Sequence, residues 1–251
     1  MISLIITFLL ISPFCIFQNK DSESKYITFA SSLSLSYAVL GFLGIIFVFL
    51  KLTFIPLYLI LIIIFFTLFT IKNYRDRFNY LFKESYKEIN YINKLENYKR
   101  SIKFFYLILI ILFIVSIGPI NHSDTANIYV GYPYKFWVNN SHFIDGNLNQ
   151  GLMGIGDFAN IFYFQEKTTW LIRTAQFLPL IILFFFFLKR KKNNIYLLIF
   201  LSSPVFIQWL TIGKNNFLSE SCMALCFLVW EKNKDKKYLL YLFCTIFIAI
   251  S

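Results

Sequence analysis

The sequence predicts an all-α membrane protein, a polytopic transmembrane helical bundle of about eight spans with one long outward loop and a cytoplasmic amphipathic helix. Three observations lead there. Hydrophobic residues make up 58% of the 251-residue chain and the mean hydropathy is +0.63, well outside the usage of a soluble domain. Apolar runs recur along the chain at about the 17 to 25 residues that a helix needs to cross a hydrocarbon core. The cations behind the net charge of +11 cluster between those runs.

Nine Lys and Arg residues against four acids lie between Lys72 and Lys103, four more in Lys189 to Lys192, and four against two acids in Glu231 to Lys237. Alternation of basic clusters with apolar runs is the positive-inside pattern. The charge therefore reports orientation and contact with anionic headgroups of membrane lipids, and nucleic acid is not the expected partner.

Met1 to Phe17 is apolar from its second residue and lacks both a basic leader and a small-residue cleavage pattern, so it reads as a first spanning helix. After the polar Gln18 to Lys25, the run Ile27 to Leu50 is the second span. It carries the serine-rich Ser31 to Ser36 and then Gly41-Phe42-Leu43-Gly44, small residues that permit close packing. Lys51 and Pro56 mark a turn, and about Leu57 to Ile71 forms a third span, which completes an N-terminal membrane segment over residues 1–71.

From Lys72 to Lys103 the chain turns charged and tyrosine-rich. Phe78, Leu81, Phe82, Tyr86, Ile89, Ile92 and Leu95 recur at helical spacing with basic residues around them, which predicts an amphipathic helix on the cytoplasmic leaflet or a solvated linker helix. The core over residues 104–251 opens with the span Phe104 to Ile120, stopped by Gly118 and Pro119. Beyond the loop come Trp170 to Leu188, Ile195 to Ile212 with Pro204 inside it, Phe217 to Trp230 and Tyr238 to Ser251. The last run is short of a full span and lacks a polar tail, so the core is expected to continue beyond Ser251 in a longer protein. Cys15, Cys222, Cys226 and Cys244 all fall in apolar runs, where a thiol packs as a small hydrophobe, and no zinc-ligand spacing surrounds them.

Function is expected in the outward loop, residues 121–169. It holds both histidines, His122 and His142, with Asp124, Asp145, Asp157 and Glu166. Tyr129, Tyr132, Tyr134, Phe136 and Trp137 read either as an interfacial aromatic belt or as part of a binding surface. Asp124 stands just past the mouth of the fourth span, where an apolar wall can tune its proton affinity for general-base work; the alternative is a solvated loop acid or a helix cap. Asp157 and Glu166 are placed to assist it or to hold a divalent cation through hard oxygens, although no cofactor is firmly implied. The two histidines, twenty residues apart, are a weak metal-ligand signal and are expected to play plain polar roles.

Asp124 after a span, then Tyr129, Pro133 and Lys135, a Gly-rich stretch and a returning helix resemble the GT-C superfamily of polytopic glycosyltransferases. That superfamily includes protein O-mannosyltransferases and the enzymes that move aminoarabinose to lipid A. Ser203-Pro204-Val205, Trp209 and Gly213-Lys214-Asn215 are similar to the later helices of bacterial members. The chain departs from the family at Val130, where a His is common, and at Asn215 and Asn216, where an acid is.

The resemblance implies transfer of a sugar from a polyprenyl-phosphate donor to an envelope lipid, glycan or protein at the outer face of a bacterial inner (plasma) membrane. It implies Asp124 as catalytic base, with Tyr129, Tyr132, Asp157, Lys135, Arg173 and Lys214 in substrate binding. Positive charge near the interface would stabilise the departing phosphate. Arg173, inside the start of a span, serves that role or simply snorkels. Two other classes remain: a transporter or flippase for a lipid-linked substrate, which calls for repeats and intramembrane acids that the runs lack, and a non-catalytic membrane scaffold.

Overall fold

A chain with this spacing of apolar residues folds mostly as helices joined by short turns over the residues that the computed structural model describes, 1–16, 24–93, 99–117, 130–139, 155–172, 174 and 181–182. Eight α-helices follow in order: α1 (Ile2–Ile11), α2 (Ser24–Phe49), α3 (Leu57–Thr70), α4 (Lys72–Asn93), α5 (Lys99–Ile117), α6 (Gly131–Asn139), α7 (Ile155–Phe158) and α8 (Ile161–Gln165). No strand forms among the described residues, which are all-α as expected.

The central element is α2. Leu33, Tyr37, Leu40, Phe47 and Val48 are buried at helical spacing, and so are Thr28, Ser31, Ser32, Ser34 and Ser36. Hydroxyls in so apolar a setting turn back on their own helix: Ser32 Oγ donates to the Thr28 carbonyl and Ser36 Oγ to that of Ser32, each at 2.5 Å. α1 lies along α2 and α3, and Leu4, Leu10, Leu57 and Leu61 join the same core.

Lys51 ends α2 with a left-handed backbone, φ 56°, and Leu52 N–H reaches back to the Phe47 carbonyl at 2.8 Å. Pro56 then starts α3, as the sequence signals suggest. At Ile71 the backbone is extended, ψ 118°, and α4 leaves α3 at a bend of 101°. That break falls where apolar sequence gives way to charge. α4 covers Lys72 to Asn93 of the amphipathic stretch, whereas Lys99, Arg100 and Lys103 belong to the opening turns of α5.

Among the described residues one stretch, Ser31–Phe49, is by itself long and apolar enough to cross a membrane, and α3 with α4 passes the same test as a bent pair. Ile2–Phe14 and Tyr106–Ile117 are apolar but shorter. The first expected span therefore contracts to α1 and a 3-10 turn over Ser12–Phe14, short of a hydrocarbon core some 30 Å thick. The remaining expected spans, from Trp170 onward, lie almost wholly outside the described residues.

Candidate functional site

Two described pieces of the loop, α6 and residues 155–172, are built into the protein by their own apolar residues. In α6 the face made by Tyr132, Pro133 and Phe136 is buried, and Tyr134, Lys135 and Val138 are exposed on the other side. Pro133 fits here because its missing N–H falls in the first helical turn, where no intrahelical partner exists. Phe136 stacks on Phe158 at 5.9 Å between ring centroids. Thus two of the five residues assigned to an interfacial belt, Tyr132 and Phe136, belong to the core with Val48, Phe158 and Ile161.

Residues 155–165 lie against α2 rather than in solvent. Ile161 and Phe162 are fully buried, and Phe162 meets Phe47 edge to face at 5.6 Å. Gly41 and Gly44 make this approach feasible. A Cβ on Gly41 would stand 2.9 Å from Ile155 Cγ2 and closer still to the Ile155 carbonyl oxygen, while one on Gly44 would stand 2.8 Å from the Phe158 carbonyl carbon. The small residues of the second apolar run thus permit close packing, and what they admit is loop backbone.

A polar thread runs through this contact. The hydroxyls of Tyr37 and Tyr163 share a hydrogen bond at 3.3 Å. Burial pushes the Tyr163 phenol well up, with Tyr37 and Glu166 adding to the effect, so it stays neutral and able to donate. Gln165 clamps the turn between α2 and α3: its Nε2 donates to the Thr53 carbonyl at 2.6 Å, and its Oε1 accepts from Leu57 N–H at 3.3 Å.

Glu166 corrects the expectation of a base or cation ligand. Its carboxylate accepts from Ile2 N–H and Ser3 N–H, both at 2.6 Å, and from the N-terminal ammonium of Met1; Thr168 Oγ1 donates to it as well at 3.2 Å. It is the negative cap that the exposed N–H groups of α1 call for. Burial alone would raise its carboxyl, but the ammonium and the Ser3 hydrogen bond outweigh burial and hold it below its ordinary value. For the ammonium, burial wins over the attraction of Glu166 and lowers it. The non-titrating backbone N–H groups are therefore the steadier part of the contact.

A pH dependence follows. Because the folded carboxyl lies below its ordinary value of about 4.5, the stabilisation from Glu166 is complete above that pH and is lost as pH falls through the lower folded value. Glu166→Gln is expected to lower the thermal midpoint at pH 7, and the gap from the parent protein should narrow as pH falls below about 4.5, as melting in detergent across that range will show.

The sequence-predicted residues divide accordingly. Lys135 and Tyr132 come together, with Nζ 5.3 Å from the ring centroid. Asp157 is wholly buried in α7, within electrostatic reach of Tyr37. Asp124, Tyr129, Arg173 and Lys214 lie outside the described residues, as do His122 and His142. Among the described residues no three His, Cys, Asp or Glu side chains gather where they could hold a metal ion.

Tyr134 and Trp137 pack on Phe164 at 5.3 and 6.0 Å, and Tyr134 is exposed, so its ring is open to stacking. The exposed Lys135 amine lies over Tyr132 and can attract an anion. Sequence reasoning missed Tyr37, Tyr163 and Gln165. Only Tyr37 gave a signal, a phenol in the middle of an apolar run, which needs a partner once buried. Among the described residues the fold and this seat define an all-α protein in which part of the loop over residues 121–169 is built into the helical core. No family model, curated protein or solved structure matches the chain.

Proposed function

We propose that this chain is a polytopic membrane glycosyltransferase of the GT-C kind, transferring a sugar from a polyprenyl-phosphate donor to an envelope lipid, glycan or protein acceptor. In this reading it crosses a bacterial inner membrane about eight times, with loop residues 121–169 on the periplasmic or extracellular side. One observation supports the orientation: Gln165 and Glu166 of the loop and the start of the basic α4 meet opposite ends of α1 and α3. Gln165 and Glu166 touch Thr53, Leu57 and the start of α1. Tyr74 of α4 donates to the Leu9 carbonyl at the far end of α1, at 3.0 Å, and packs its ring near Phe14. Burial pushes the Tyr74 phenol up to about 12, so it remains a donor.

Further support is chemical. α3 and α5 expose Ile63, Phe66, Ile110 and Ile114, apolar side chains suited to lipid. A wholly apolar cleft of about 180 Å³ opens between Leu4, Phe8, Phe29, Leu33 and Ile182, space suited to a hydrocarbon chain. Asp124 takes the acceptor hydroxyl's proton as that oxygen attacks the anomeric carbon with inversion. Lys135, Arg173 and Lys214 draw in the donor phosphate and stabilise it as it departs. Tyr129 faces the substrate in this scheme, while Tyr132 and Asp157, the loop residues buried in the helical core, position the loop around it.

The test combines topology with transfer. Asp145→Cys should react with an impermeant maleimide on intact cells, and membranes holding the protein should move labelled sugar from a polyprenyl phosphate to an endogenous acceptor. Labelling only from the cytosolic side, or no transfer from any such donor, would overturn the reading.

A further inference from the structure

α4 carries two apolar strips with different surroundings. Tyr74 and Leu81 are buried, and Phe78 packs on Phe65 and Phe69 of α3. Phe82, Tyr86 and Ile89 continue from Phe78 at steps of four, four and three, yet Phe82 is 71% exposed and Tyr86 63%. Around this bare ridge Lys72, Arg75, Arg77, Lys83 and Lys87 are all exposed. Of the acids in α4, Asp76 is exposed, while Glu84 and Glu88 are half-buried and Glu84 pairs with Lys87 at 2.6 Å. Helical spacing sets Arg75 in line with Phe82, and Lys72 and Lys83 along one flank, with Glu84 and Glu88 turned to the other.

The bend of 101° decides what such a ridge can meet. With α3 in the hydrocarbon, α4 lies across its end, in the plane where headgroups meet acyl chains. A second copy of this chain is a poor fit, because the same ridge face to face sets Lys and Arg against Lys and Arg. Phosphate-rich headgroups fit both features at once: the rings enter the acyl boundary and the long cation stems reach up to phosphate.

We propose that α4 is a binding surface for an anionic lipid leaflet, with Phe82, Tyr86 and Ile89 inserted and Lys72, Arg75 and Lys83 on the lipid phosphates. This rests on the membrane reading of the fold and on nothing in the sugar-transfer reading, so either stands if the other fails.

Hydrogen exchange on the full chain in nanodiscs tests it, with discs of phosphatidylcholine alone or mixed with phosphatidylglycerol. Amides of α4 around Phe82 to Ile89 should exchange on the order of tenfold more slowly in the anionic discs, while those of α2 do not change. The joint substitution K72Q, R75Q and K83Q should abolish the lipid dependence, and Phe82→Ser with Tyr86→Ser should remove protection in both discs. Equal exchange of the parent protein in the two discs, a difference that survives K72Q/R75Q/K83Q, or cross-linking of α4 to α4 between copies would each overturn the proposal. The parent comparison decides alone if a variant fails to insert.

Discussion

Gly41→Ala is expected to unseat the loop from the helices and to lower thermal stability by about 2 kcal/mol, the balance of two opposed terms. Alanine returns up to about 1 kcal/mol through better helix propensity. Against that, the new methyl meets backbone at Ile155 rather than a side chain free to rotate away. Overpacking of this kind costs roughly 1–3 kcal/mol and occasionally more, and a fixed backbone puts it at the upper end. Gly44→Ala should act likewise through Phe158. The double substitution separates unseating from two local clashes: once the first methyl has lifted the segment, the second meets nothing, so the pair should cost clearly less than the sum. Phe42→Leu, on the exposed face of the same helix, should shift the midpoint little. Melting curves of the parent and the four variants in one detergent check this, and additive losses would mean that the segment stays in place.

How far the sequence spoke for itself depends on the range of each contact. The turn at Lys51 to Pro56, the break between α3 and α4 and the exposed ridge of α4 rest on neighbours within a few residues, and composition and spacing carry that information. The burial of Cys15 was legible in the same way. Glu166 was not, since its partners Ile2 and Ser3 lie more than 160 residues away and periodicity says nothing about which helix end an acid will cap. Tyr132 and Phe136 look like interfacial rings until Phe158 and Ile161 are seen to cover them. Asp157 reads as a loop acid, yet Gly41 and Gly44 draw the short helix that carries it into the core. An acid in a polar loop and an acid in a loop folded back on a helix have the same local sequence. The predicted roles of Asp124, Tyr129, Arg173 and Lys214 therefore stand as proposals on the resemblance and on chemistry.

Asp124→Asn carries the largest expected effect on activity. The amide keeps the shape and the hydrogen-bonding oxygen of the carboxylate but cannot take a proton at neutral pH. If Asp124 accepts the acceptor hydroxyl's proton, transfer should fall by a factor on the order of 10² to 10⁴, the usual worth of a positioned general base. A loop acid that only caps or solvates would lose far less, with no change in the pH profile. The acidic limb of kcat/KM should therefore vanish in Asp124→Asn and persist, shifted, in Asp124→Glu, while the maleimide labelling at position 145 stays the same in all three proteins. In cells that depend on the variant the corresponding envelope glycan should disappear. Intact glycan at normal expression would remove Asp124 as the base. Loss of glycan together with loss of labelling would instead trace the defect to folding, and the loop's seat on Gly41 and Gly44 would then be the feature on which activity first depends.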